Sequence, residues 1–305
     1  MIISIIGSWK NIEAEHAKFL ESVLSDFYTK QEKGKIALPL AYDFLKIVHG
    51  DIISNEHNRI LNSIQLYKRS VADNAHIPKY EESLRNEVKK VLNYNKFVRK
   101  SGAYNAYSLC GASTARTCPY CNHAFSFTFI KRGKGMRPTL DHYYDKDSYP
   151  HLALTLYNLI PSCYSCNSNL KGRKDFSENK HLHPLFDSEV ISFSLRNEKD
   201  IVIDTLEMID QSRSKIKIEL KADNQEAKSS IKTFLLSERY ANFVDAAINF
   251  SRAKYYFDEL KNNNQLDIID DIKEEVVLRF DKTDYQNELL GRLFFDMYNQ
   301  FNLMK

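Results

Sequence analysis

The chain is 305 residues long, which is enough for about two domains of ordinary size. Its content of 43% hydrophobic and 27% charged residues excludes general disorder and predicts a packed core. The net charge of +3 is too small to identify a partner by itself. No stretch approaches the roughly 20 apolar residues of a membrane span, and the apolar start MIISIIG lacks the basic region of a signal peptide. We therefore expect a soluble cytoplasmic protein with no membrane contact.

The first region, residues 1–110, is predicted to be mostly helical. Apolar residues recur at helical spacing from Ile12 to Phe27, and Tyr80–Lys100 has the pattern of a second long amphipathic helix. Within it, Arg85–Lys100 carries six basic residues against one Glu. Such a run is typical of a solvated helix face as much as of a polyanion site.

The middle region, residues 111–186, contains two pairs of cysteines with two residues between the members of each pair. TCPYC includes Cys118 and Cys121, and PSCYSC includes Cys163 and Cys166. This spacing lets both thiolates of a pair reach one metal ion from a tight turn, so we expect the four sulfurs to bind a structural Zn²⁺. Two separate redox dithiols are the alternative, but no thioredoxin-like strand and helix flank either pair. The fifth cysteine, Cys110, is expected to be a small buried side chain in a reducing compartment.

Polar residues of the kind used in hydrolysis lie between and after the cysteine pairs. The segment His123–Ile130 alternates apolar and polar residues, GKG can turn the chain, and RPTLDHYYD returns as a hairpin that presents Asp141 and His142. Asn158 follows in a second strand, YNLIPSC, and Asn167 follows the second cysteine pair in a helix. The sequence therefore predicts a strand–strand–helix (ββα) unit braced by zinc.

At these residues, in the pattern DH…NL..C..CN..K, the chain resembles the HNH endonucleases of the ββα-metal fold, in the form braced by four cysteines. The resemblance implies that His142 is the general base. It implies that Asp141 and Asn167 bind a catalytic Mg²⁺ or Mn²⁺, and that Asn158 orients the base. The last letter of the motif is Asn167 rather than His, which is a frequent variant. Lys171 follows Asn167 by four residues where three is usual, although this spacing keeps both on one helix face.

These residue types suit the hydrolysis of a phosphodiester bond. A neutral imidazole, with an ordinary pKa of about 6.5, can take a proton from water at cellular pH. A hard divalent cation binds carboxylate and amide oxygens and stabilises the leaving oxygen. An Asn hydrogen-bonded to the imidazole or to its loop would set the direction of the ring. The zinc is expected to be structural, because a shell of four thiolates has no open position.

Each of these residues also has an ordinary structural explanation. An isolated Asp-His pair is commonly a surface turn, and an Asn before a helix is commonly a cap. Their joint placement relative to the cysteine pairs favours a nuclease site. Four other histidines near the motif are expected to be packed or surface residues, although His183, before Pro184, is kept as a weak candidate contact: His123, His151, His181 and His183.

The last region, residues 187–305, is predicted to be a small antiparallel sheet followed by helices. VISFSL, DIVIDTL and SKIKIEL alternate as strands, and Glu226–Leu260 and Ile268–Phe301 have helical patterns. The fold class is therefore expected to be α+β. Residues 258–288 are acidic, whereas KRGKGMR and KGRK beside the cysteine pairs are basic. This contrast predicts a polyanion site in the middle region and a solvated or partner-facing end.

The sequence around the core is most similar to PtuB-type nucleases of the bacterial anti-phage systems Septu and related retron systems. That similarity implies an endonuclease acting on double-stranded DNA together with an ABC-type ATPase partner. An RNA-cleaving toxin with the same core and a zinc-braced nucleic-acid-binding module without catalysis remain open. A core that cleaves the backbone does not by itself distinguish DNA from RNA.

Overall fold

The computed structural model describes residues 1–99, 102–131, 134–203, 215–262 and 273–302. The fold is α+β, as predicted, with helices and small two-stranded antiparallel sheets. Within the described ranges the helices are α1 (Glu13–Glu32), α2 (Pro39–Ile53), α3 (His57–Asp73), α4 (Tyr80–Val91), α5 (Tyr94–Phe97), α6 (Ala106–Gly111), α7 (Ser165–Lys171), α8 (Gln225–Thr233), α9 (Leu236–Tyr240), α10 (Val244–Asn262), α11 (Glu274–Leu278) and α12 (Gly291–Asn302). The strands there are β1 (Phe129–Lys131), β2 (Lys134–Met136), β3 (Thr139–His142), β4 (Leu159–Ser162), β5 (Ser192–Asn197) and β6 (Ile216–Lys221).

The chain forms two compact units, each built from separate segments. The N-terminal unit comprises Ile5–Thr114 and Ser126–Asn179, and the C-terminal unit comprises Met1–Ser4, Ala115–Phe125 and Lys180–Lys305. The division into three successive regions expected from the sequence stays a prediction. Among the described helices, all are too short or too polar to cross a bilayer.

Helix α1 of the N-terminal unit forms where the helical spacing predicts it, and the face that it buries includes His16, Leu20, Leu24 and Phe27. Phe19 and Val23, which the predicted stripe includes, are half-buried. The single long helix predicted for Tyr80–Lys100 is instead two helices, because α4 ends at Val91 and α5 begins at Tyr94. The Asn93 side chain accepts a hydrogen bond from Lys96 N (2.9 Å) and caps α5. An Asn side chain competes with the helical backbone in this way, which is why the periodic pattern is interrupted here.

Strand β3, which carries Asp141 and His142, pairs with β4. Asp141 lies opposite Ile160, and His142 lies opposite Leu159, in an antiparallel register. The sequence predicted a hairpin between His123–Ile130 and the strand that carries Asp141 and His142, and this pairing is wrong. β1 instead pairs with β2 in a shorter hairpin, whose turn lies outside the described residues. Proline has no N–H to donate, so the ladder cannot continue through Pro138 into β3. β4 is buried along its length and provides the apolar partner.

The small sheet of the C-terminal unit consists of β5 and β6, as predicted from VISFSL and SKIKIEL. In the DIVIDTL segment, Val202 makes a single bridge to Arg196, and residues 204–206 lie outside the described residues. The predicted helix Glu226–Leu260 is divided into α8, α9 and α10. Leu235 has a φ of +48°, and a left-handed residue of this kind ends an α-helix.

The second long helix predicted for this unit, Ile268–Phe301, is also divided. Its described part consists of α11 and α12, and residues 268–272 lie outside the described residues. Arg279 follows α11 with a φ of +49°, and Leu290 precedes α12 with a φ of +60°. Both breaks are set by backbone conformations that the apolar spacing does not reveal.

Candidate metal centre and active site

The first cysteine pair is shaped by a tight turn in the C-terminal unit. Cys121 N donates to Cys118 O (3.2 Å), and Asn122 N donates to the same carbonyl (2.7 Å). The chain then reverses through Asn122, whose φ is +50°, and Cys118 N donates to Ala124 O (2.8 Å). Asn tolerates this left-handed conformation better than most residues. Both cysteines are fully buried.

Asn122 is a residue that the cysteine spacing did not single out. Its Nδ2 donates to Thr117 Oγ1 and to Glu288 O (both 3.0 Å), and its Oδ1 accepts from Arg292 N (2.9 Å). These bonds join the turn to the start of α12 within the same unit. A buried amide with all of these partners fixes the turn before any metal binds.

The second cysteine pair lies where β4 leads into α7. Cys166 N donates to Cys163 Sγ (3.4 Å), and Asn167 N donates to Cys163 O (3.1 Å). An N–H directed at a sulfur stabilises a thiolate and is typical of metal-binding turns. The helix begins at Ser165, inside the pair, as the sequence predicts.

The four sulfurs are brought together. The Sγ atoms of the two pairs all lie within 4.8 Å of one another, with Cys163 half-buried and the others buried. Tetrahedral Zn²⁺ with Zn–S bonds of about 2.3 Å needs sulfurs separated by about 3.8 Å, so the cluster needs little adjustment to bind the metal. The predicted four-cysteine group that could bind zinc is therefore confirmed as a cluster. Cys110 lies apart as a buried thiol, and burial raises its pKa to about 12.

The candidate active site lies in the N-terminal unit at the end of β3. Lys171 Nζ lies 3.1 Å from Asp141 Oδ1, and both side chains are only 2% exposed. The same ammonium donates to His142 O (2.7 Å) and lies 4.9 Å from the centre of the Phe176 ring. Lys171 was expected to contact phosphate with the neighbouring basic residues. It is instead the buried counter-ion of Asp141.

The His142 imidazole is held in one tautomer. Its Nε2 lies 3.0 Å from Ala153 O, and a carbonyl can only accept, so Nε2 carries the proton and Nδ1 is the basic nitrogen. Burial lowers the pKa of His142 to about 3, although its bond to Ala153 opposes the shift. The Tyr94 ring packs edge-on against it with centroids 4.4 Å apart. His142 is therefore neutral at cellular pH.

Asn158 is fully buried and binds the loop that follows β3. Its Oδ1 accepts from Tyr144 N (2.7 Å), and its Nδ2 donates to Tyr144 O (3.0 Å) and Leu152 O (3.1 Å). These bonds hold the chain next to Ala153, whose carbonyl orients His142. The sequence predicted that Asn158 would bind either the imidazole or its loop, and these hydrogen bonds are to the loop.

Helix α7 accounts for the unusual spacing of Asn167 and Lys171. It is a π-helix, and Gly172 N donates to Asn167 O (2.9 Å), five residues back. A π-type turn accommodates one more residue than an α-type turn. Lys171 therefore reaches Asp141 although four residues, rather than the usual three, separate it from Asn167. Asn167 is half-buried on this helix, one turn before Lys171.

Several basic side chains of the segments predicted to bind a polyanion are exposed. Lys131 and Lys134 lie on the β1–β2 hairpin, and Arg173 and Lys174 follow α7. Arg132, which was grouped with them, lies outside the described residues. The hairpin also exposes apolar side chains at its surface: Phe127, Phe129, Ile130 and Met136.

The remaining histidines have structural surroundings. His151 is buried beside Ser63, and His181 Nε2 lies 2.8 Å from Thr233 Oγ1. His183 Nδ1 accepts from Leu185 N (3.2 Å) and is buried in a turn of the C-terminal unit. His123 packs beside the rings of Tyr240 and Phe243.

Comparison with known proteins gives no match to any protein family, curated protein or solved structure.

Proposed function

We propose that this chain is a metal-dependent endonuclease of the HNH type that hydrolyses the phosphodiester backbone of DNA. The observation that carries the proposal is the placement of Asp141 and His142 as successive residues at the end of β3, with the Asp141 carboxylate bound by Lys171 of the helix that also carries Asn167. A carboxylate and a basic imidazole nitrogen on adjacent residues are what metal-assisted hydrolysis requires.

In this proposal, His142 removes the proton from the attacking water. Its Nε2–H is engaged by Ala153 O (3.0 Å), so Nδ1 is the atom that accepts the proton. The imidazolium formed would be stabilised by the same carbonyl. Asn158 and Tyr94 act as positioning residues, the first through the loop and the second through its edge-on contact with the imidazole.

Asp141 and Asn167 would hold the divalent cation, because carboxylate and amide oxygens are the donors that Mg²⁺ and Mn²⁺ prefer. When bound, this cation would stabilise charge on the scissile phosphate and the leaving oxygen. Lys171 also binds the Asp141 carboxylate, so its ammonium balances that buried charge when no divalent cation is bound.

The four-cysteine cluster would hold structural zinc. Cys163 and Cys166 lie at the N-terminal end of α7, so a metal there would fix the helix that carries Asn167 and Lys171. The exposed basic residues of the hairpin and of residues 173–174 would bind phosphates without reading sequence. Double-stranded DNA is the proposed substrate, with an ABC-type ATPase as partner in anti-phage defence.

One observation favours a second candidate function. The Asp141 carboxylate is already paired with an ammonium in the interior. A permanent ion pair at this place would suit a zinc-braced nucleic-acid-binding module without catalysis.

The deciding experiment compares the wild-type chain with His142→Ala and with a control, His76→Ala, at an exposed histidine. Plasmid DNA and RNA are incubated with Mg²⁺, with Mn²⁺ and with EDTA, in the presence and absence of the candidate ATPase. We expect metal-dependent cleavage that falls about 10²- to 10⁴-fold in His142→Ala, with zinc content and DNA affinity retained. Cleavage at the wild-type rate by His142→Ala would show that this residue is not the base. If the wild-type chain binds nucleic acid but cleaves none under any of these conditions, the non-catalytic binding module is favoured.

A further inference from the structure

A cavity of about 660 Å³ lies in the N-terminal unit, outside the candidate active site. It is formed by α1, the chain leading into α2, the end of α4, the end of α5 and residues 102–104. This volume lies within the roughly 300–1,000 Å³ of pockets that take small molecules. Neither zinc binding nor phosphodiester hydrolysis gives it a role.

One wall of the cavity is aromatic. The rings of Phe19 and Phe97 have centroids 5.4 Å apart and are inclined by 33°, and Tyr104 lies 5.1 Å from Phe19. Val23 lies on the same side as Phe19 and is half-buried. Grouped ring faces of this kind bind a flat aromatic molecule by stacking and by burial of apolar area.

The rim of the cavity is basic. Among the described lining residues it includes Lys30, Lys90 and Lys96 and one carboxylate, that of Asp26. Asp26 is already paired with Lys30 (2.7 Å), so the rim keeps an excess of positive charge from the other two lysines. An anionic group at the mouth would meet a favourable potential, whereas a cationic one would be repelled.

We propose that this cavity binds a planar aromatic anion about the size of a mononucleotide. The ring system lies against Phe19, Phe97 and Tyr104, and the anionic group lies at Lys90 and Lys96. The two halves of the cavity, one apolar and one basic, select both properties in a single ligand. A longer apolar chain or a neutral aromatic molecule would fit the apolar half of the cavity but would leave the basic half without an anion.

The cavity also adjoins the supports of His142. Helix α5 contributes Phe97 to the cavity wall, while Tyr94 of the same helix packs on the His142 ring. Leu154 lines the cavity next to Ala153, whose carbonyl accepts from His142. A ligand in the cavity would therefore lie next to two segments that hold this imidazole.

The test titrates the full chain with 8-anilinonaphthalene-1-sulfonate, which combines a flat naphthalene ring system with an anionic sulfonate. We expect saturable binding at one site per chain. Val23→Trp should fill the cavity and abolish it, whereas Ile47→Trp, on an exposed position of α2, should not. Lys90→Gln combined with Lys96→Gln should weaken binding at least about fivefold, because two exposed charge contacts are lost. Lys18→Gln, at an exposed position on α1, is the matched control.

Displacement by adenosine monophosphate or by indole-3-acetate would show whether the natural ligand carries a phosphate or a carboxylate. The lysine variants change only exposed side chains, so they keep the test valid if Val23→Trp fails to fold. Dye binding that is unchanged in Val23→Trp, or in the double lysine variant, overturns the proposal.

Discussion

Lys171 and Asp141 form a buried ion pair that joins α7 to β3, with Nζ and Oδ1 3.1 Å apart and both side chains 2% exposed. Taking either charge out of water is costly unless its partner is present. The pair therefore couples the helix to the strand that carries the candidate base.

Removing the ammonium should destabilise the protein strongly. We expect Lys171→Met to lower the free energy of unfolding by about 3–5 kcal/mol, because the buried Asp141 carboxylate loses the ammonium that balances its charge. Urea denaturation measures this change, and Lys174→Met, at an exposed lysine of the same segment, is the control. The double variant Lys171→Met with Asp141→Asn should lose less than the sum of the single changes. Additive losses would show that the two charges do not interact.

Zinc should be required for folding. We expect one zinc per chain by elemental analysis and loss of structure on chelation, since structural zinc contributes on the order of 10 kcal/mol to folding. Cys118→Ser and Cys163→Ser should each give insoluble or unfolded protein. Cys110→Ser should be nearly neutral, because Cys110 lies outside the cluster. Folded protein without zinc would contradict the assignment.

Substitution of Asn158 should lower both stability and cleavage, whereas substitution of His142 should lower cleavage alone. Asn158→Ala removes three hydrogen bonds to buried backbone groups of Tyr144 and Leu152, and a buried backbone group that loses its partner costs about 1–3 kcal/mol. We expect it to lower both the unfolding midpoint and cleavage. His142→Ala should lower cleavage while DNA affinity remains. Thermal melts and cleavage assays on the same preparations separate the two effects. Equal stability of Asn158→Ala and the wild type would contradict the role of Asn158 in the loop.

Acid should destabilise the N-terminal unit through its buried histidines. Burial lowers the pKa of His16 to about 4 and that of His151 and His142 to about 3, from 6.5. Between pH 6.5 and these values, the unfolded chain binds protons that the folded chain does not, so stability falls as the pH falls. Urea midpoints measured from pH 7 to pH 4 should show the loss.

The matched variant for the acid effect is His151→Phe, which removes one of these groups. It should reduce the slope of stability against pH by up to about 1.4 kcal/mol per pH unit. His76→Gln, at an exposed position, should leave the slope unchanged. A slope that does not differ between His151→Phe and the wild type would remove His151 as a source of acid sensitivity.

DNA binding should depend on salt. The exposed Lys131, Lys134, Arg173 and Lys174 contact phosphates in the proposed function, so the logarithm of affinity should fall linearly with that of salt concentration. Each change of one of these residues to Ala should reduce the slope by about one unit, whereas Lys18→Ala should not. Filter binding at several salt concentrations measures the slopes. A slope unaffected by all four changes would place the DNA elsewhere.

The sequence by itself determined those features that depend on local spacing. Two residues between cysteines define a metal-binding turn, so the four-cysteine cluster could be predicted from TCPYC and PSCYSC. The apolar period of α1 and the alternation in β5 and β6 are likewise properties of neighbouring residues. The start of α7 inside the second cysteine pair follows from the same local pattern.

Only the tertiary structure decided the relationships between residues distant in sequence. The Tyr94 ring on His142, the Lys171 ammonium at Asp141 and the choice of β4 as the partner of β3 each depend on packing between separate elements. The helix breaks at Leu235 and Arg279 depend on single left-handed residues that hydrophobic periodicity does not register. Periodicity reports which face of an element is apolar, whereas the partner of that face is selected by shape, burial and charge in the folded chain.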